Sequence, residues 1–142
     1  PIVARLNDTG PSQMIRLKHN TFAISINYAF PSNHQDDRSL NETLFQDVVI
    51  LIAALGNLPI ILGGDFQKDG LDYETLQSLF TVGWADLARD FNQMAPTYHS
   101  GEHATRIDYV HASPLARLQI YNFHLLHIGA LQRSVLIVSF ST

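Results

Sequence analysis

The stretch from Ser39 to Asp65 constrains this 142-residue chain more than any other. Leu40, Leu44, Val48, Leu51, Ile52 and Leu55 recur at three- and four-residue intervals, the period of one apolar helix face. Ser39 and Glu42 have the spacing of a capping box, and Gly56 stands where a left-handed C-cap belongs. The pattern predicts a helix over 39–55 with one broad face packed on a sheet. Leu58-Pro59-Ile60-Ile61-Leu62 then runs continuously apolar between Asn57 and Gly63-Gly64, which reads as a strand buried on both faces. Asp65 follows just past its end.

Before the helix, short strands are expected over 2–6, 14–19 and 22–28, separated by turn formers such as Asp8-Thr9-Gly10-Pro11-Ser12. In the third, Phe22, Ile24 and Ile26 alternate with Ala23, Ser25 and Asn27, giving one buried and one semi-polar face. After Asp65, Asp72 is placed to cap a short helix through Phe80. Gly83-Trp84-Ala85-Asp86-Leu87 leads into an irregular segment ending at Pro96, and strands are expected near 105–111, 118–126 and 134–140. The order β-β-β-α-β-α-β-β-β is a mixed α/β (α+β) layout without repeat or linker, so 1–142 reads as a single domain.

Composition removes several classes of function. At 46% hydrophobic and 15% charged the chain has enough apolar residues for a core, which excludes disorder and coiled coil. Nine Lys plus Arg against thirteen Asp plus Glu leave a formal charge of -4, so any binding of a polyanion must be local. Without cysteine there is no disulfide scaffold, thiolate zinc site or thiol nucleophile. The longest strongly apolar run, 48–55, is far short of the roughly 20 residues that span a bilayer, so no membrane partner is expected. The N-terminus lacks a charged leader with a cleavage site, favouring an intracellular over a secreted protein.

Seven histidines raise the question of a metal site. His99 and His103 flank a loop-like Ser100-Gly101-Glu102, and a strand would send His124 and His127 to opposite faces, so no histidine metal site is expected. There is no G-x-S-x-G elbow, and Gly63-Gly64-Asp65 lacks the lysine of a phosphate loop. Trp84, Tyr98 and Tyr121 read as core or rim residues, with no basic stripe to make them a base-stacking platform.

Four strand-end segments carry the chemistry: Asn27-Tyr28-Ala29-Phe30-Pro31, Leu62-Gly63-Gly64-Asp65-Phe66-Gln67, Arg106-Ile107-Asp108-Tyr109-Val110 and the last strand from Ser134 to Phe140. In this order and spacing the chain resembles the C-terminal half of the endonuclease/exonuclease/phosphatase family, the deoxyribonuclease-I-like metal-dependent phosphodiesterases. In that family the corresponding stretches read roughly N-V-Y-A-P, G-D-F-N, R-I-D-Y and S-D-H, and the likeness covers about residues 1–140. The resemblance implies half of a four-layer αββα sandwich with a mixed, largely antiparallel sheet. It also implies hydrolysis of phosphoester bonds with Mg²⁺, as in the nucleases attached to retroelement polyproteins, on nucleic acid or another phosphoester. Asp65 would orient or deprotonate the attacking water, helped by Gln67, and Asp108 would hold a histidine that contacts the phosphate. Asn27, Tyr28 and Arg133 are the positions expected at the phosphate.

Departures from the family pattern qualify this. Gln67 replaces an asparagine, moving the amide by about one methylene, roughly 1.5 Å. Ala29 stands where many members have tyrosine, and Gln132-Arg133 stands where they have Asp-His. Arginine stays charged and cannot trade protons, so acid–base chemistry at 133 is lost, although Arg133 can still neutralise a phosphate. Arg133 is expected to pair with Asp108, and His127 or His111 to stand in for the missing histidine. No segment before Tyr28 supplies the family's metal-binding Asn and Glu, so no residue is assigned as a metal ligand and Mg²⁺ is expected to bind weakly. These departures predict impaired catalysis, or a non-catalytic relic kept as a structural or interaction module. Pro1 reads as starting in mid-sheet, which predicts a missing N-terminal half and an exposed apolar face or self-association.

Overall fold

The computed structural model of the chain describes residues 3–5, 12–16, 22–26, 35–127 and 134–141. In chain order, β1 (Val3–Arg5), β2 (Ser12–Arg16) and β3 (Phe22–Ile26) form an antiparallel meander. Helix α1 (Gln35–Leu55) crosses over and delivers the chain into β4 (Ile60–Asp65), parallel to β3. A 3-10 turn at Gly70–Asp72 precedes α2 (Glu74–Thr81), and β5 (Ala85–Asp86) runs straight into α3 (Leu87–Asp90). The hairpin β6 (Tyr98–Ser100) and β7 (His103–Thr105) leads to β8 (Asp108–Ala112), and α4 (Pro114–Gln119) to the ribbon of β9 (Ile120–His127) and β10 (Ser134–Phe140). The main sheet has the order β1-β2-β3-β4-β8-β5, in which only β3 and β4 are parallel. This is the mixed, largely antiparallel α/β sheet expected from the sequence.

The two faces of β4 build two cores, because successive side chains on a strand point to opposite sides. Ile60 and Leu62 meet Phe45, Val48 and Ile52 of α1 and Leu76 and Leu79 of α2, with Phe66, Tyr73, Trp84 and Tyr109. Ile61 faces the other way, into Val110 and Ala112 of β8, Leu87 and Ala88 of α3, Ala116 of α4 and Phe123 of β9, with Leu136, Val138 and Phe140 of β10 packed alongside. The layers are therefore helices, main sheet and a two-stranded ribbon. The outer face of that ribbon carries exposed Leu126, Val135 and Ile137.

Several boundaries differ from the sequence reading, each for a local reason. Helix α1 starts at Gln35, four residues early, so Ser39 lies within it and makes no capping box. Glu42 instead caps a different helix: its carboxylate accepts from Glu74 N (3.0 Å), Thr75 N (3.3 Å) and Thr75 Oγ1 (2.7 Å) at the start of α2. Asp72 does not cap α2, whose N-cap is Tyr73 with no side-chain capping bond. The buried line on α1 runs through Asn41, Phe45, Val48 and Ile52, leaving Leu40 exposed, because Asn41 turns inward to donate to the Tyr73 hydroxyl (3.4 Å). Strand β4 runs on through Gly63-Gly64, and Asp65 is its last residue rather than the first beyond it.

Ser113 fastens the β8 end to the start of β4. Its hydroxyl accepts from Ile60 N (2.9 Å) and donates to Leu58 O (3.1 Å), its amide donates to Ile60 O (2.9 Å), and it caps α4. Ser113→Ala removes the hydroxyl and leaves buried partners unsatisfied, so thermal or urea unfolding is expected to report a loss of about 2 kcal/mol.

His111 makes a second stability prediction. It is 2% exposed, packed against the rings of Phe66, Phe80 and Tyr109, and neither ring nitrogen has a hydrogen-bond partner among the described residues. Burial pushes its pKa down to about 4, with Asp86 and Asp69 opposing and Arg106 and Arg89 assisting. A group with a lowered folded-state pKa and an ordinary value near 6.5 binds its proton mainly in the unfolded chain between those pH values, so stability falls as pH drops through that window. The loss is on the order of 3 kcal/mol between pH 6.5 and 4. Urea midpoints measured against pH should show that slope in the wild type and a much flatter one in His111→Leu.

Candidate functional site

The antiparallel register of β4 and β8 sets Asp65 directly opposite Asp108. Phe66 N donates to Ile107 O (2.7 Å), which makes the next pair outward hydrogen-bonded. Pairs alternate along an antiparallel ladder, so Asp65 and Asp108 form the close kind, with Cα atoms about 4.5 Å apart. Asp108 shares its face with Val110 and Ala112, so both carboxylates point to the ribbon side of the sheet.

The chain can end β4 this way only because of its glycines. Gly64 has φ 147°, a conformation closed to ordinary side chains, and it turns Asp65 into place. Gln67 adopts φ 64°, uncommon for a residue other than glycine or asparagine. The bonds it makes there offset the strain: Gln67 N (3.1 Å) and Nε2 (2.8 Å) both donate to Asp65 Oδ1. The longer side chain thus folds back on Asp65 rather than reaching past it, and one carboxylate oxygen is held in a fixed direction.

Thr97 was not singled out from the sequence, and it organises the neighbourhood. It is fully buried, and its Oγ1 accepts from Ile107 N (3.1 Å) and Asp108 N (3.0 Å). Its amide donates to Thr105 O (3.0 Å), and its carbonyl accepts from Ser134 N (2.9 Å). One threonine therefore ties the hairpin, the start of β8 and the start of β10. The segment before Pro96, read as irregular, contains β5 and α3, and the hairpin follows it.

Arg106 meets Asp86, with Nη2 at 2.5 Å from Oδ1 and both side chains less than a tenth exposed, and its guanidinium lies 4.3 Å from the centroid of the Tyr109 ring. Asp86 also caps α3 by accepting from Ala88 N (3.2 Å). Burial pushes the Tyr109 and Tyr73 phenols up, so both act as neutral donors, to Arg106 O (2.8 Å) and to Phe66 O respectively. Asp65, Gln67 and Asp108 are thus brought together, and His111 is set apart on the helix side. Asn27, Tyr28 and Arg133 lie outside the described residues, and so does the expected Arg133–Asp108 pair.

Asp65 and Asp108 bring carboxylate oxygens to one end of the sheet, on one face. Hard oxygen donors of this type suit Mg²⁺, which is usually held by one or two carboxylates with water and substrate oxygens. Among the described residues no group of three or more His, Asp or Glu gathers into a metal-binding set. The donor chemistry fits Mg²⁺ and does not single it out among hard divalent cations.

Known structures share this architecture. A 3′ phosphatase from Neisseria, bound to a product DNA hairpin, aligns with a TM-score of 0.74 at 11% identity, over 96% of this chain and 66% of its own. An AP endonuclease from Archaeoglobus fulgidus gives 0.75 at 10% identity, over 99% of this chain and 70% of its own. A truncated TDP2 from Caenorhabditis elegans gives 0.56 at 16% identity, over 94% of this chain and 60% of its own. The chain spans about two thirds of the length of these proteins. No protein-family model matches the chain, and no curated protein sequence does. At such low identity the likeness is one of architecture, and on it the chain has the deoxyribonuclease-I-like fold of the endonuclease/exonuclease/phosphatase proteins.

Proposed function

We propose that the chain is part of a divalent-metal-dependent phosphodiesterase of the endonuclease type, as in retroelement polyproteins, with weakened catalysis. The observation that carries this reading is the Asp65–Asp108 pair, with Asp65 fixed by the Gln67 amide. Relatives of this fold include a phosphatase bound to DNA and an AP endonuclease, which favours nucleic acid as the substrate.

Cleaving a phosphodiester needs an oriented water, charge neutralisation on the phosphoryl oxygens and a route for the leaving group. Asp65 is the group that orients the water and receives its proton, because Gln67 holds its carboxylate in one direction. Asp108 would hold Mg²⁺ beside it, and the bound ion supplies neutralisation of phosphoryl charge. Asn27, Tyr28 and Arg133 are proposed at the phosphate, with Arg133 replacing a histidine by a fixed positive charge. The net charge of -4 does not oppose this, since the cation and not the protein's overall field meets the phosphate. The Gln132-Arg133 replacement also favours a second reading, in which the fold is kept as a non-catalytic interaction module.

Nicking of supercoiled plasmid by the full chain distinguishes the two. Slow nicking that requires Mg²⁺ and falls by about a thousandfold in Asp65→Ala is the expected outcome. A wild-type chain whose Mg²⁺-dependent rate equals that of Asp65→Ala supports the interaction module.

A further inference from the structure

We propose that His99 and His127 form a two-imidazole site for a divalent cation of the Zn²⁺, Ni²⁺ and Cu²⁺ class, bridging the β6–β7 hairpin and the ribbon. The inference does not depend on the phosphodiesterase reading. Spacing along the chain suggests other pairs, His99 with His103 and His124 with His127, and strand alternation separates both. His103 lies opposite Ser100 in the hairpin register, so it and His99 point to opposite faces. His124 likewise turns away from His127, and its Nε2 lies 2.8 Å from Asn122 Nδ2. The fold instead brings His127, at the end of β9, against His99 of β6, with ring centres 4.7 Å apart and planes tilted by 59°.

That spacing is the one a shared ion requires. An imidazole nitrogen binds Zn²⁺ at about 2.0–2.1 Å, which puts the ion about 3.2 Å from the ring centre. Two rings meeting an ion at a right angle then have centres about 4.5 Å apart, and at the tetrahedral angle about 5.2 Å. The observed separation falls between these limits. The second ring nitrogen of His127 is also accounted for, since Nδ1 lies 3.3 Å from Ser134 Oγ. Metal-bound histidines give their other nitrogen to such a partner, which fixes the ring and here leaves Nε2 for the ion. The backbones that carry the two rings are tied together by Thr97. This buried residue accepts from Ser134 N at its carbonyl (2.9 Å), Ser134 lies opposite His127 in the ribbon, and His99 follows Thr97 by two residues.

Ligand chemistry selects the ion. Imidazole suits Zn²⁺, Ni²⁺ and Cu²⁺, whereas Mg²⁺ takes oxygen donors, so this pair and the carboxylates of Asp65 and Asp108 sort different cations. His127 is exposed and His99 half-buried, so an ion reaches them from solvent without opening the fold. Among the described residues no third His, Asp or Glu joins the pair, so water completes the coordination and Cu²⁺ binds more tightly than Ni²⁺ or Zn²⁺. The two ligands come from separate elements that meet only in the folded chain, so the ion stabilises the native state and clamps the hairpin to the ribbon.

Thermal unfolding of the full chain in ZnCl₂ tests the site. At about 100 μM Zn²⁺ the midpoint is expected to rise by about 3 °C, and the same concentration of MgCl₂ to leave it unchanged. His127→Gln, at an exposed position, should keep the metal-free midpoint and lose the Zn²⁺ shift, and His99→Gln should lose the shift too. His103→Gln, on the other face of the hairpin, should retain it. Electron paramagnetic resonance with equimolar Cu²⁺ gives a second readout: coupling to two imidazole nitrogens in the wild type and to one in His127→Gln. No Zn²⁺ shift in the wild type, a shift that survives in both His99→Gln and His127→Gln, or a Cu²⁺ spectrum that His127→Gln leaves unchanged overturns the proposal. Each of those results leaves the reading of Asp65 and Asp108 untouched, because nicking with Mg²⁺ is measured separately.

Discussion

Strand β4 is the constraint on which the rest of the molecule depends. It is paired on both edges, parallel to β3 and antiparallel to β8, and covered on both faces by apolar clusters. A strand so enclosed cannot slip by one residue without exchanging its two faces. Ile61 would then enter the helix layer, and Ile60 and Leu62 the ribbon layer. The register that fixes the cores also fixes Asp65 opposite Asp108, so the carboxylate pair is held by the packing of residues that never touch it.

Around that centre, polar tethers do what apolar packing cannot. Ser113 holds one end of β8 to the start of β4, and Thr97 holds the other end to the hairpin and the ribbon. Both are short hydroxyl residues buried at strand ends, where backbone groups must find partners away from the ladder. Glu42 does the same between helices by satisfying the first amides of α2. These tethers are long-range in sequence, and each joins elements that would otherwise be fixed only by non-directional contacts.

That distinction explains what the sequence disclosed. The crossover helix, the two-faced strand and the final strand 134–140 were legible because periodicity and apolar runs are local signals. Asp65, Gln67 and Asp108 were legible through motif spacing, and the structure brings them together. Glu42 was misassigned to its own helix because a capping box and a carboxylate reaching a second helix look alike in sequence. Thr97 carried no signal at all, since a threonine after Pro96 differs from a loop residue only in its partners. The short β5–α3 turn and the hairpin were missed because elements of two to four residues have no period to read.

Strand alternation then decides which histidine can serve the carboxylates. From Asp108, the side chain three residues on must point to the opposite face, so His111 falls among Phe66, Phe80 and Tyr109 whatever its chemistry. There it is kept neutral by burial, which costs stability as the pH falls and yields no exchangeable proton at the site. Any side chain that serves the carboxylate face must instead come from elements on that side of the sheet, a restriction of topology rather than of composition.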